Sequence, residues 1–144
     1  SNAGAVTHAT GVKVFNESFG LEEDNTEIVP ASGNAGKTIL EEAIEAGKAT
    51  ALIQSGQMAE PGTAAFAAET TNRDGNDIRA RDKYAEIIEQ TIRSGTNVIM
   101  GGGELYMLPI GETGFHVDAE MSAAETRPER RPTINLIELA ESLG

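Results

Sequence analysis

Three residues on one stretch are the first to suspect of chemistry: the carboxylate of Glu60, the hydroxyl of Thr63 and the guanidinium of Arg73. They follow the short apolar run Ala49 to Gln54, which reads as a buried strand, and the small and polar residues after it read as the loop at that strand's carboxyl end. In open α/β sheets ligands sit at that end. Loop and following helix could therefore aim a carboxylate, a hydroxyl and a guanidinium at one spot. Spacing alone favours a plainer reading, with Thr63 capping a helix and Glu60 solvated.

Other motifs are weaker. Residues 31–38, ASGNAGKT, satisfy a loose phosphate-loop pattern in which backbone amides would cradle phosphate, Lys37 would meet the terminal phosphates and Thr38 would hold magnesium. The strand that should precede it is only Glu27 to Val29 with Pro30 at its end, and no later strand delivers the Asp that a nucleotidase needs for its metal. A helix start that happens to contain Gly-Lys-Thr is the better account. Gly101, Gly102 and Gly103 lack the dinucleotide spacing and read as a tight turn, and Ser55 has a flanking glycine on one side only, so it is no nucleophile elbow. The acidic run Leu21 to Glu27 lacks the alternation and central Gly of a calcium loop and reads as a solvated face. His8, without a second ligand at helical spacing, reads as packed or solvated.

The elements that must position these residues come next. Thr38 with Glu41 three residues on forms a capping box, and Leu40, Ala43 and Ile44 give the following helix an inward face that Gly47 closes. Arg81 to Arg93 is the clearest helix, with Tyr84, Ile87, Ile88 and Ile92 on one stripe. A turn cluster from Asn72 to Asn76 precedes it, and a second buried strand, Asn97 to Met100, follows. Two helix-then-strand units predict an α/β fold with a parallel-sheet core and flanking helices. Residues 108–132 read as a long loop or insertion whose Arg127 to Arg131 cluster balances surface acid, and a last helix is expected from Thr133 to Leu143.

Composition bounds the function. The chain has 144 residues, no cysteine and a formal charge of −12. One domain is expected; disulfides and thiolate metal sites are excluded. The acidity works against nucleic acid and anionic membranes as partners, since both need a basic surface. No apolar run approaches the roughly 20 residues needed to span a bilayer. Ser1, Asn2 and Ala3 read as an expression-tag scar, with the native sequence beginning at Gly4 and the chain reading as a cut piece.

Taken in order, ATGVKVFN from Ala9, KTILEEAIEAGKATALIQSG from Lys37, EPGTAAFAAETTNR from Glu60, NVIMGGGELY from Asn97 and the terminal NLIELAESLG resemble the alkaline phosphatase family. The resemblance implies a partial alkaline-phosphatase-like fold and a metal-dependent phosphomonoester hydrolase that works through a phosphoserine intermediate, with zinc and magnesium as cofactors. By that register Arg73 falls on the arginine that grips phosphate. Glu60 falls near a magnesium-binding Asp and Thr63 near a magnesium-binding Thr, although EPGT stands where familiar members have a shorter Asp-Ala-Thr or His-Ala-Thr. The register of the nucleophile lands on Ser1, inside the tag scar and without a preceding Asp, and only His8 and His116 are available as imidazole ligands.

The resemblance implies that residues 4–144 are the central segment of an alkaline-phosphatase-like domain, expected to lack nucleophile and zinc ligands, to be inactive alone and to bind no metal by itself. Its cut sheet should pair with a second copy as a homodimer. The resemblance implies a phosphate monoester as substrate and a periplasmic or secreted location. The alternatives are a non-catalytic acidic α/β binding module and, less favoured, the phosphate-loop nucleotide-binding protein.

Overall fold

The computed structural model of the chain describes residues 2–75 and 81–144. In chain order its helices and strands are α1 (Asn2–Thr10), α2 (Ile39–Glu45), β1 (Ala51–Gln57), α3 (Pro61–Ala64), α4 (Tyr84–Arg93), β2 (Val98–Gly102), α5 (Ala119–Ala124) and α6 (Leu136–Leu143), with 3-10 turns at Glu104–Met107 and Pro128–Arg130. The fold is α/β, as the pattern predicts. β1 and β2 pair in parallel, Ala51 with Val98, Leu52 with Ile99, Ile53 with Met100 and Gln57 with Gly102, with an irregularity between Ile53 and Gln57.

Local signals explain most of these elements. The capping box closes on both sides: the Glu41 amide donates to Thr38 Oγ1 at 3.2 Å, and the Thr38 amide donates to Glu41 Oε2 at 2.8 Å. The Thr38 hydroxyl also donates to the carbonyl of Phe66 at 2.6 Å, which ties the start of α2 to the chain just after α3. In α4 the residues Tyr84, Ala85, Ile87, Ile88 and Thr91 are buried, the inward stripe that the spacing predicts. The strands run longer at their carboxyl ends than the apolar runs suggest. Ser55 to Gln57 belong to β1, so the expected loop shrinks to Met58 to Glu60 before α3 begins at Pro61.

The expected triple-glycine turn is corrected in the same way. Gly101 and Gly102 lie in β2, and at Gly101 a Cβ would collide with the Met58 side chain. Gly103 alone makes the turn, at φ 103°.

The main core gathers Val6 of α1, Phe19, Met58, Ala59, Ala64, Ala65 and Ala68 around α3, Tyr84, Ile87 and Ile88 of α4, Tyr106 and Leu136. Small alanines let the single turn of α3 approach both α1 and α4 closely. A smaller cluster of Leu40, Leu52 and Ala67 seats α2 on β1. Asn2 and Ala3, which read as a tag scar, lie in α1; Asn2 is buried and its Nδ2 donates to the Ser18 carbonyl at 2.9 Å. Ser1 and residues 76–80, including Asn76 of the expected turn cluster, lie outside the described residues.

The segment 108–132 is not plain loop, since it carries α5 and the second 3-10 turn. Of its basic cluster, Arg127 and Arg130 do meet acid, at Asp82 and Glu125. Arg131 does not. It is 4% exposed and donates to the carbonyls of Leu108 at 2.8 Å, Pro109 at 2.9 Å and Ser122 at 3.0 Å, and to Ser122 Oγ at 3.0 Å. A fork of five donors satisfies carbonyls that no regular element pairs, so this arginine holds the segment closed.

Arg131→Met is expected to lower the unfolding free energy by about 3 kcal/mol, because several charged hydrogen bonds are lost together, whereas Arg127→Met should cost less than about 1 kcal/mol. Thr38→Ala should cost about 1 kcal/mol through the lost cap. Urea unfolding of the three variants measures these differences.

Candidate functional site

A short antiparallel bridge makes the site possible. The Phe19 amide donates to the Thr70 carbonyl at 2.6 Å and the Thr70 amide donates back at 2.9 Å, and three residues on the Arg73 amide donates to the Glu17 carbonyl at 3.0 Å. Two stretches far apart in sequence thus run side by side and bring Glu17 beside Arg73. Glu17 sits at φ 67°, a conformation costly for a residue with a side chain, which is held in place by that backbone pairing. Asn72 frames the other side of the turn, with its Oδ1 accepting from the Asp74 amide at 3.0 Å and its Nδ2 donating to the Gly75 carbonyl at 2.7 Å.

Arg73 is clamped at two points. Its Nε donates to Glu17 Oε2 at 2.7 Å and its Nη1 donates to Glu60 Oε2 at 3.0 Å. The second oxygen of Glu60, Oε1, accepts from the Tyr84 hydroxyl at 2.5 Å. Among the described residues Nη2 of Arg73 makes no hydrogen bond, and the arginine side chain keeps 21% of its exposure. Burial works against the Arg73 charge, but the hydrogen bond and charge of Glu17, with Tyr84 and Glu60 behind it, hold its pKa above the ordinary arginine value. Burial first, and then the hydrogen bond to Glu60, pushes the Tyr84 phenol far up, so it stays a proton donor at every physiological pH.

Of the three residues proposed from the sequence, the structure joins two. Glu60 occupies the N-cap position of α3 yet makes no side-chain cap; Pro61 at the next position supplies no amide and the carboxylate turns toward Arg73 and Tyr84. It is neither a solvated carboxylate nor a cap. Thr63 is 2% exposed, and its hydroxyl donates to the Met58 carbonyl at 3.1 Å, bracing the end of β1 against α3. Tyr84 and Glu17 escaped the sequence reading. Tyr84 was visible only as a core position, and nothing local marks Glu17.

As arranged, these oxygens do not fit a magnesium ion. Both Glu60 oxygens are engaged by donors, the Thr63 hydroxyl is directed to a carbonyl, and magnesium asks for near-octahedral oxygen ligands at about 2.1 Å. Among the described residues no group of three or more His, Cys, Asp or Glu could hold a metal ion, so the donor set for zinc is not assembled here either. The His116 amide and that of Phe115 donate to Glu104 at 2.7 and 2.8 Å, an anchorage for the loop.

The phosphate-loop alternative is not supported. Lys37 is paired with Glu45 at 2.7 Å and Thr38 spends its hydroxyl on the cap and on Phe66. α2 has seven residues and no regular strand leads into residues 31–36.

Comparison with known proteins places the chain. The family model described as alkaline phosphatase matches residues 1–143. Alkaline phosphatase 3 of Bacillus subtilis (strain 168) is 28% identical over 104 residues, covering 72% of this chain and 20% of its own length, and alkaline phosphatase 4 of the same organism is 28% identical over 106 residues, covering 74% and 21%. Among solved structures, the Thermus thermophilus alkaline phosphatase superposes with a TM-score of 0.68 at 21% identity over 100% of this chain and 24% of that one. The alkaline phosphatase of the Antarctic bacterium TAB5 gives a TM-score of 0.58 at 24% identity over 74% and 27%, and a variant of that enzyme has Mg bound. The chain thus spans between 20% and 27% of the length of these relatives.

A group whose folded pKa is raised contributes stability that is whole below its unfolded value and is lost as pH rises beyond it. Tyr84 is such a group, with an ordinary value of 10.0. Stability is therefore expected to fall as pH climbs above about 10, and Tyr84→Phe to flatten that fall. Thermal melts across the alkaline range measure it. Phenolate absorbance at about pH 11 should be nearly the same with and without Tyr84, since its hydroxyl is not ionised there.

Proposed function

The chain belongs to the alkaline phosphatase family, and from that premise we propose that it is the part of a phosphomonoester hydrolase that grips the phosphoryl group, through Arg73. The observation that carries the reading is the clamp: Glu17 and Glu60 fix the guanidinium at Nε and Nη1, which leaves the two N–H donors of Nη2 for oxygens of a phosphate. A planar cation held in one orientation is suited to paired, charge-assisted hydrogen bonds with a phosphoryl group.

In this reading Arg73 binds and orients the substrate, and the whole protein reacts through a phosphoserine supplied outside the described residues. Zinc and magnesium would take their ligands from outside the described residues, with Glu60 holding Arg73. The segment alone is inactive: two carboxylates outweigh one guanidinium in the clamp, so an incoming dianion meets a net negative cluster unless positive charge arrives from elsewhere. Export to a periplasmic or extracellular location belongs to the same proposal. Among the described residues no helix is long and apolar enough to cross a membrane.

The sheet supports one further part of the reading. Ile53 and Met100 stand paired across β1 and β2, with 65% and 57% of their surface exposed, and among the described residues each strand has an unpaired edge. Pairing with a second copy would cover them. The homodimer therefore stays as a proposal, which sedimentation of the chain with and without Ile53→Lys tests.

The activity is tested on the full-length protein. It is expected to release phosphate from a chromogenic phosphomonoester, and Arg73→Ala to lower kcat/KM by about 100-fold or more, as loss of a charge-stabilising donor does elsewhere. A full-length protein without phosphatase activity, or a flanking gene sequence with no Asp-Ser pair upstream, would overturn the reading.

A further inference from the structure

The residue that joins the fold to the phosphate grip is Tyr84, and its chemistry is not needed for packing. Its ring is fully buried at the first turn of α4, edge-on to Tyr106 with centroids 5.3 Å apart, and Arg81 Cζ lies 5.6 Å from its centroid. A phenylalanine would satisfy every one of those contacts. The hydroxyl is different. Its hydrogen-bond partner is Glu60 Oε1 at 2.5 Å, a carboxylate on another element 24 positions away.

That bond decides where Glu60 points. The carboxylate sits at the start of α3 and makes no side-chain cap there, so its direction is not set by the helix amides. With Oε1 fixed by Tyr84, Oε2 is left facing Arg73 Nη1. Glu17 holds the other side of the guanidinium at Nε. Arg73 has a long side chain with much rotamer freedom, so an oriented Nη2 exists only while both carboxylates keep their places.

We propose that Tyr84 is a positioning residue for phosphate recognition, its hydroxyl locking Glu60 so that Glu60 and Glu17 together aim the free Nη2 of Arg73. The inference rests on the phosphate-gripping role of Arg73. It adds two residues, Tyr84 and Glu17, whose work is done through Arg73 and not by contact with substrate.

The test uses the full-length protein and inorganic phosphate as a competitive inhibitor. Tyr84→Phe is expected to raise the inhibition constant of phosphate, and KM with it, by about fivefold, the worth of one net hydrogen bond. Tyr106→Phe removes a phenol outside the relay and should change neither constant by more than about twofold. The discriminating measurement is the double variant. In an Arg73→Ala background Tyr84→Phe should have almost no further effect on phosphate inhibition, because a residue acting through Arg73 has nothing left to position. A Tyr84→Phe variant that folds normally and binds phosphate within about twofold of the parent overturns the relay, as does an effect that persists undiminished without Arg73. If Arg73→Ala itself leaves phosphate inhibition unchanged, the gripping role of Arg73 fails first, and the two failures are told apart.

Discussion

A guanidinium held between two carboxylates ties together three separate stretches of this chain. Glu17 comes from the segment after α1, Glu60 from the start of α3, and Arg73 from the turn before α4. Each partly buried charge would be costly alone, and the pairing makes their common burial tolerable. The arrangement depends on backbone pairing more than on the charges. Without the Phe19 and Thr70 bridge, Glu17 would have no reason to occupy a left-handed conformation beside Arg73. Strain at a non-glycine residue is most readily kept where the surrounding structure over-determines it, and here three backbone bonds and one ion pair do so.

The core reaches the same point from beneath. Ala59, Ala64, Ala65 and Ala68 leave so little side chain around α3 that α4 packs against it, and the first residue of α4 then places its phenol at the carboxylate of Glu60. Thr63 fixes the remaining degree of freedom by binding the Met58 carbonyl, which holds the exit of β1 against the helix that follows. Both residues are buried, yet each spends its polar atom on a partner in another turn or element. Packing thus reaches Arg73 through the Tyr84 hydroxyl and Glu60, while the Thr63 hydroxyl serves the backbone at the exit of β1.

Local chemistry made part of this legible in the sequence. The capping box of Thr38 and Glu41, the stripe of Tyr84, Ile87 and Ile88, and the two parallel strands each depend on residues within a few positions of one another. Arg73 and Glu60 were named from the strand-to-helix passage and the family register. Their contact was not, because the direction of the Glu60 carboxylate is set by Tyr84, 24 positions on. Glu17 lay hidden for the same reason, with 56 positions between it and Arg73 and an acidic residue standing in a conformation that usually signals Gly or Asn. Arg131 was misread as surface charge because its partners are the carbonyls of 108, 109 and 122, and carbonyls leave no trace in a sequence.

The clamp also sets a trade between orientation and attraction. A bare arginine would draw a phosphate more strongly than one already faced by two carboxylates, since each carboxylate cancels part of its field. What the carboxylates add is order: a long side chain that would sample many rotamers is held in one, and the entropy of fixing it is met on folding instead of on binding. In a chain with a net charge of −12 that choice makes sense only if the attraction is supplied by something other than Arg73. On the proposed reading its contribution is geometric, the selection of a tetrahedral group with oxygens at the right separation for Nη2. A site of that kind would discriminate by shape before charge, and the residues that hold the shape, Tyr84 and Glu17, would then matter to recognition as much as the arginine they hold.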